Sequence, residues 1–172
     1  LWPAKGPEVL IQAFVDVLRD VPNATLDIAG QGSHEGALRT QADTLGLSQK
    51  VRFLGAVPHD QLLSLMSTSE LFCLPSRGEG WPLVLVEALS SGCPVVATDI
   101  GGIRELINRK ELGSLVPPGE VGSLSAALIE GLRTKWNRES LMEESRKYAW
   151  DRIVENYIEL YEKAIASRTP KR

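Results

Sequence analysis

Apolar runs of strand length that lack polar alternation constrain this chain most. LFCL (71–74) and PVVA (94–97) are the clearest. A strand with one wet face alternates, whereas a strand covered on both faces reads as a continuous apolar run. Between such runs lie segments of helical period. Gly6-Pro7 opens a helix whose apolar positions Val9, Leu10, Ala13, Phe14, Val17 and Leu18 fall at helical spacing. ATLDIAG (24–30) reads as a strand, and a helix follows to about Leu45, closed by Gly46. VRFLG (51–55) is a second strand, and Pro58 starts a helix through Leu62, Leu63, Leu65 and Met66. ELFCLP (70–75), PVVATD (94–99) and GSLVP (113–117) are further strands. PLVLVEALSSG (82–92), GGIRELI (101–107) and 121–133 are the helices among them, and 138–168 is helical only. Strands alternating with helices predict an α/β fold, a doubly wound parallel sheet with C-terminal helices.

The 172 residues suit one globular unit of ordinary size, and a net charge of −3 gives no general argument for nucleic acid or an acidic membrane. Cys73 and Cys93 sit in apolar surroundings, which suggests reduced, buried thiols and a cytoplasmic setting. No zinc-ligand spacing is present, and the longest uncharged stretch, Gly80 to Val86, is too short to span a membrane. The opening LWPAKG is a loop feeding a helix with no strand before it, and no Met begins the chain. The chain therefore reads as part of a longer one, with a strand expected just upstream. Residues 1–135 form the expected Rossmann-like unit, and 136–172 a helical extension.

One helix start concentrates the polar chemistry. In EGWPLVLVE (79–87), Pro82 suits the first helical position, and the amides of Leu83 and Val84 lack intrahelical acceptors. The helix dipole adds about half a positive charge there. In an open α/β sheet this place, past the carboxyl end of a strand, is where ligands bind, phosphates among them. Glu87 lies about 7.5 Å along the axis, and its side chain leans back toward the opening. Glu79 approaches from the preceding loop. Helix-dipole stabilisation of a carboxylate is about 0.3–1 kcal/mol, up to ~2 when partly buried. Desolvation costs several kcal/mol per ion, so the dipole alone does not suffice. Hydroxyls donating to the carboxylates and a diphosphate on the amides would complete the site, a combination that describes a nucleotide-sugar. The simpler account makes Glu79 a complement to the dipole and gives Glu87 a backbone N–H or a distant Arg.

Other residues carry weaker signals. Gly30-Gln31-Gly32 follows a strand, but Glu35 stands where a dinucleotide fingerprint needs its third glycine. Gly101-Gly102 either borders the ligand crevice or makes a plain turn. His34 and His59 fall at helix starts and read as surface residues. Trp81 either stacks on a ligand or packs on the sheet. Trp150 and Tyr157 through Tyr161 read as packing for the terminal helix.

The E-x7-E spacing from Glu79 to Glu87, with LPS (74–76) before it and ALSSGCPVVATDIGG (88–102) after it, resembles the C-terminal domain of retaining GT-B glycosyltransferases. The chain is similar in particular to the glycosyl transferases group 1 family, glycosyltransferase family 4. AKGPEVLIQAF (4–14), LDIAGQG (26–32), LGLSQKVRFLGAVP (45–58) and WDRIVENYIELYEKAI (150–165) extend the resemblance over the whole length. It implies that 1–135 binds a nucleotide-diphospho-sugar, UDP-, GDP- or ADP-linked, opposite an N-terminal domain that carries the acceptor. Glu87 would then accept from the ribose hydroxyls. Glu79 would be the catalytic carboxylate, orienting the transferred sugar without acting as nucleophile. Lys5 would meet the diphosphate, the backbone of Gly80, Trp81 and Leu83 would line the sugar-phosphate site, and Val57 would lie beside the base. Pro82 stands where the family often has Gly, removing one donor. The family's Arg partner of Lys5 would fall upstream of Leu1. The resemblance implies retention, no cofactor and no required metal, and leaves room for peripheral membrane association of the full enzyme. Transfer by this part alone is not expected. Two rivals remain: a glycoside hydrolase using the same two carboxylates, and a non-catalytic nucleotide- or sugar-sensing module.

Overall fold

The computed structural model describes residues 1–168. The element order is α1 (Pro7–Asp20), β1 (Leu26–Ala29), α2 (Glu35–Thr44), β2 (Val51–Gly55), α3 (His59–Thr68), β3 (Phe72–Leu74), α4 (Leu83–Ser90), β4 (Val95–Thr98), α5 (Ile103–Leu106), β5 (Gly113–Val116), α6 (Val121–Arg133), α7 (Arg138–Ser145) and α8 (Trp150–Arg168). The predicted alternation is realised, with strands trimmed by a residue or two. All pairings between named strands are parallel.

Three layers follow from side-chain alternation on β4. Val96 joins a core with Ile11, Phe14 and Val17 of α1, Leu38 of α2 and Leu124 of α6. Val95 and Ala97 face the opposite core, with Met66 of α3, Leu85 and Leu89 of α4, Ile103 of α5 and Leu141 of α7. Both faces of β4 are fully buried, which is why its sequence is apolar without alternation. Burying each valine, leucine, isoleucine, phenylalanine or methionine of these cores contributes roughly 1.5–3 kcal/mol.

The strands fall into two groups, β1–β2 and β3–β4–β5. Between them lies a cavity of about 540 Å³, whose walls include Asp27, Ile28 and Ala29 of β1 and Phe72, Cys73 and Leu74 of β3. Its rim carries Lys5, Gly30, Gln31, Ala56 and Val57. Leu1 closes one side, packed so tightly on the turn after β1 that a Cβ on Gly32 would lie 1.9 Å from its nitrogen.

The terminal helix departs from expectation. Trp150 (76% exposed), Tyr157 and Tyr161 face outward, the two tyrosine rings stacking on each other with centroids 6.4 Å apart. Packing on the α/β unit is instead made by α7, through buried Leu141, and by Tyr148 in the turn after it. Both thiols are free, and burial pushes Cys73 up to about 12 and Cys93 up to about 11. No helix among the described residues is long and apolar enough to cross a membrane.

Candidate functional site

The loops after the carboxyl ends of β1, β2, β3 and β4 meet at one rim, with the start of α4 among them. Close backbone contacts hold this rim together. The loop 3–6 lies on the loop after β3: Arg77 N–H donates to Ala4 O at 2.8 Å, and a Cβ on Gly6 would stand 2.1 Å from Pro75 O. The loop 79–81 lies on the turn after β4. Gly102 N–H donates to Gly80 O at 3.1 Å, and a Cβ on Gly101 would reach within 2.2 Å of Glu79 O. Gly101 also has φ of 51°, where a side chain is disfavoured. The Gly101-Gly102 pair is therefore both a turn and a rim element.

The first carboxylate is held. Lys5 Nζ lies 2.7 Å from Glu79 Oε1, and Ser76 Oγ donates to the same oxygen at 2.6 Å. The Glu79 side chain is 9% exposed and Lys5 is 53% exposed, so the ion pair is open on its cationic side. Ser76 is wholly buried, and its own carbonyl accepts from Thr98 Oγ1 at 2.6 Å. The chain from β4 through Ser76 to Glu79 fixes the carboxylate, and Lys5 arrives over it.

The second carboxylate is not held. Helix α4 is less enclosed than its apolar sequence implies. Leu83 is exposed and the Glu87 side chain keeps 30% of its surface open, so water meets part of the desolvation cost. Pro82 sits one position earlier than predicted, as N-cap, with its carbonyl accepting from Leu85 N–H at 3.0 Å. No hydrogen-bond donor among the described residues reaches the Glu87 carboxylate. The basic side chain nearest to it there is His59, with Nδ1 3.9 Å from Oε1, beyond hydrogen-bond range.

The remaining predicted residues divide between these corners. Lys5 and Val57 line the same cavity. Leu83 begins α4, where its amide is free of intrahelical acceptors. Trp81 packs rather than standing free: its ring meets Tyr148 edge-on at 5.9 Å and leaves no room for a Cβ on Gly102. Two participants escaped sequence reasoning. Ser76 was visible only as part of LPS, with nothing to mark its hydroxyl. His59 is two residues beyond Val57, close enough for that loop to have pointed to it. Asp99, just past β4, is bound by Arg104, with Nε 2.8 Å from Oδ1, and this holds its carboxyl below the usual range.

Comparison with known proteins gives a consistent result. Residues 1–148 match the family model described as "Glycosyl transferases group 1". The phosphatidyl-myo-inositol mannosyltransferase of Mycobacterium leprae is 35% identical over 170 residues, 96% of this chain and 45% of that protein. The D-inositol 3-phosphate glycosyltransferase of Jonesia denitrificans is 34% identical, over 95% of this chain and 41% of its own length. The chain thus spans less than half the length of these relatives. Among solved structures, Anabaena HepE in complex with UDP and glucose superposes with a TM-score of 0.79 at 27% identity, covering 96% of this chain and 46% of that one. The pneumococcal O-GlcNAc transferase GtfA, in complex with UDP and GlcNAc, gives 0.81 at 21% identity, over 95% and 34%.

Proposed function

The chain belongs to the glycosyl transferases group 1 family, and from that premise we propose that it is the donor-binding part of a retaining glycosyltransferase. Its fold is the Rossmann-like half of a GT-B enzyme. The donor is a nucleotide-diphospho-sugar, and the acceptor is bound by a further domain of the full-length protein. Transfer requires both halves, so this chain alone binds the donor without turning it over.

Glu87 carries the reading. It is a rim carboxylate, next to a helix start, that no donor among the described residues satisfies. Ribose hydroxyls are donors of the right kind, and hydrogen bonds to a charged acceptor contribute about 1.5–3 kcal/mol each. Lys5, half exposed over Glu79, supplies positive charge where a diphosphate would lie. The Leu83 and Val84 amides add the helix-start field. As the sugar–phosphate bond breaks, charge grows on the leaving diphosphate, and a cation placed there in advance stabilises that change most. This role falls to Lys5, and no metal or cofactor is part of the proposal. Glu79, oriented by Ser76, faces the transferred sugar.

The likeness to Anabaena HepE, whose structure is named as a complex with UDP and glucose, supports a nucleotide ligand. A hydrolase reading finds less support. Glu79 is 9% exposed and engaged by a lysine, unlike a carboxyl free to protonate a leaving group.

Calorimetric titration with UDP-, GDP- and ADP-sugars tests the proposal. One of them is expected to bind with micromolar to millimolar affinity and with no sugar release. Absence of binding by all three would overturn it.

A further inference from the structure

The gap between His59 and Glu87 has a definite size. Nδ1 and Oε1 are 3.9 Å apart, too far to bond directly and too close to admit a ligand side group of any bulk. One oxygen placed about 2.8 Å from each would subtend an angle of about 90°. A hydroxyl group suits that position chemically, because it has one proton to donate and lone pairs to accept with. It would give its proton to the Glu87 carboxylate and accept from an imidazole N–H. A carbonyl or phosphate oxygen has no proton for the carboxylate, and an ammonium has no lone pair for the imidazole. The pair is selective for hydroxyl.

The two side chains come from different elements. His59 is the first residue of α3, fixed by Pro58 at the N-cap, whose carbonyl accepts from Leu62 N–H at 2.9 Å. Glu87 stands in the second turn of α4. Helices α3 and α4 share one apolar core through Met66, Leu85 and Leu89, so the two backbones that carry the pair are held by packing rather than by a mobile loop. Val57, two residues before His59, lines the cavity that Lys5 also borders. The loop that leads into His59 therefore borders the same cavity.

We propose that His59 is a specificity-determining residue of this site, clamping one ribose hydroxyl of the nucleotide between its imidazole N–H and the Glu87 carboxylate. The inference rests on the donor-binding reading above and deepens it. It gives the selection of ribose over deoxyribose to a pair of side chains rather than to Glu87 alone.

The test titrates UDP, GDP and ADP, each beside its 2′,3′-dideoxy form, into the wild-type chain and into His59→Ala and His59→Asn. His59 is largely exposed, and circular dichroism checks that the variants fold. The wild type should prefer the ribonucleotide. Loss of one hydrogen bond should weaken ribonucleotide binding by about 3–10-fold in His59→Ala and leave dideoxynucleotide binding unchanged. His59→Asn, whose amide N–H can occupy the place of the imidazole N–H, should recover most of the loss. Equal weakening of both nucleotide forms, or no weakening of either, would overturn the clamp while leaving donor binding intact. Failure of every ribonucleotide to bind the wild type would instead overturn the donor-binding reading, and the clamp with it.

Discussion

The two corners of the rim treat a glutamate in opposite ways. At the corner built from loops, Glu79 is nearly buried and already bonded to Lys5 and Ser76. At the corner built from helices, Glu87 is partly open and bonded to nothing among the described residues, with His59 standing 3.9 Å away. The first arrangement stabilises the folded chain and orients charge before any ligand arrives. The second contributes little to folding and leaves an acceptor for something else. Stability and binding should therefore separate cleanly between two residues of the same type, eight positions apart.

That separation can be broken from beneath. Leu85 is fully buried under α4, and Leu85→Ala should cost about 2–5 kcal/mol of stability. Denaturant unfolding should show the loss, and nucleotide affinity should fall with it because α4 carries Glu87. Retained affinity after such a loss would mean that the helix-built corner does not depend on its core.

The loop-built corner has its own support in the turn after β4. Gly101→Ala places a Cβ against the Glu79 carbonyl and imposes a left-handed conformation on alanine. A destabilisation of about 2–3 kcal/mol is expected, with the loop 79–81 displaced. Thermal melts check the first effect and nucleotide titration the second.

The comparison itself is sharpened by Glu79→Ala. It removes the acceptor of a buried serine hydroxyl, which should cost about 1–3 kcal/mol. A melting temperature equal to that of wild type would show that Glu79 is no better anchored than Glu87.

A separate, pH-dependent effect comes from the thiols, which belong to neither corner. The folded state holds Cys93 protonated to about pH 11, above the unfolded value near 8.5. Its stabilisation is complete below pH 8.5 and declines as pH rises toward 11, by at most about 1.4 kcal/mol per pH unit. Urea unfolding at pH 8 and pH 10 should show a smaller decline in Cys93→Ala than in the wild type.

Much of this was legible in the sequence. Strand β2 and helix α6 fall where the sequence pattern puts them, because a short strand-forming stretch closed by Gly55 and a 3.6-residue period leave few alternatives. The rim was legible too, since the E-x7-E spacing spans a loop and a helix start. The partners across the rim were not. Ser76, His59 and the contact of Gly101 with Glu79 depend on how loops from separate strands approach, which local pattern does not encode. The exposure of Glu87 was not legible either, for a similar reason. A run such as LVLVEAL looks buried throughout, yet helix geometry turns Leu83 and Glu87, four residues apart, to the same open side. The aromatic residues of α8 look like packing residues, but they lie on a face that the α/β unit does not cover.

The most direct measurement is nucleotide affinity and melting temperature in Glu87→Ala, read side by side with the wild type. Loss of hydrogen bonds to a charged acceptor should weaken binding by about 10–100-fold, while the melting temperature stays within a degree or two. Unchanged affinity, or a large loss of stability, would show that Glu87 belongs to the fold and not to a ligand.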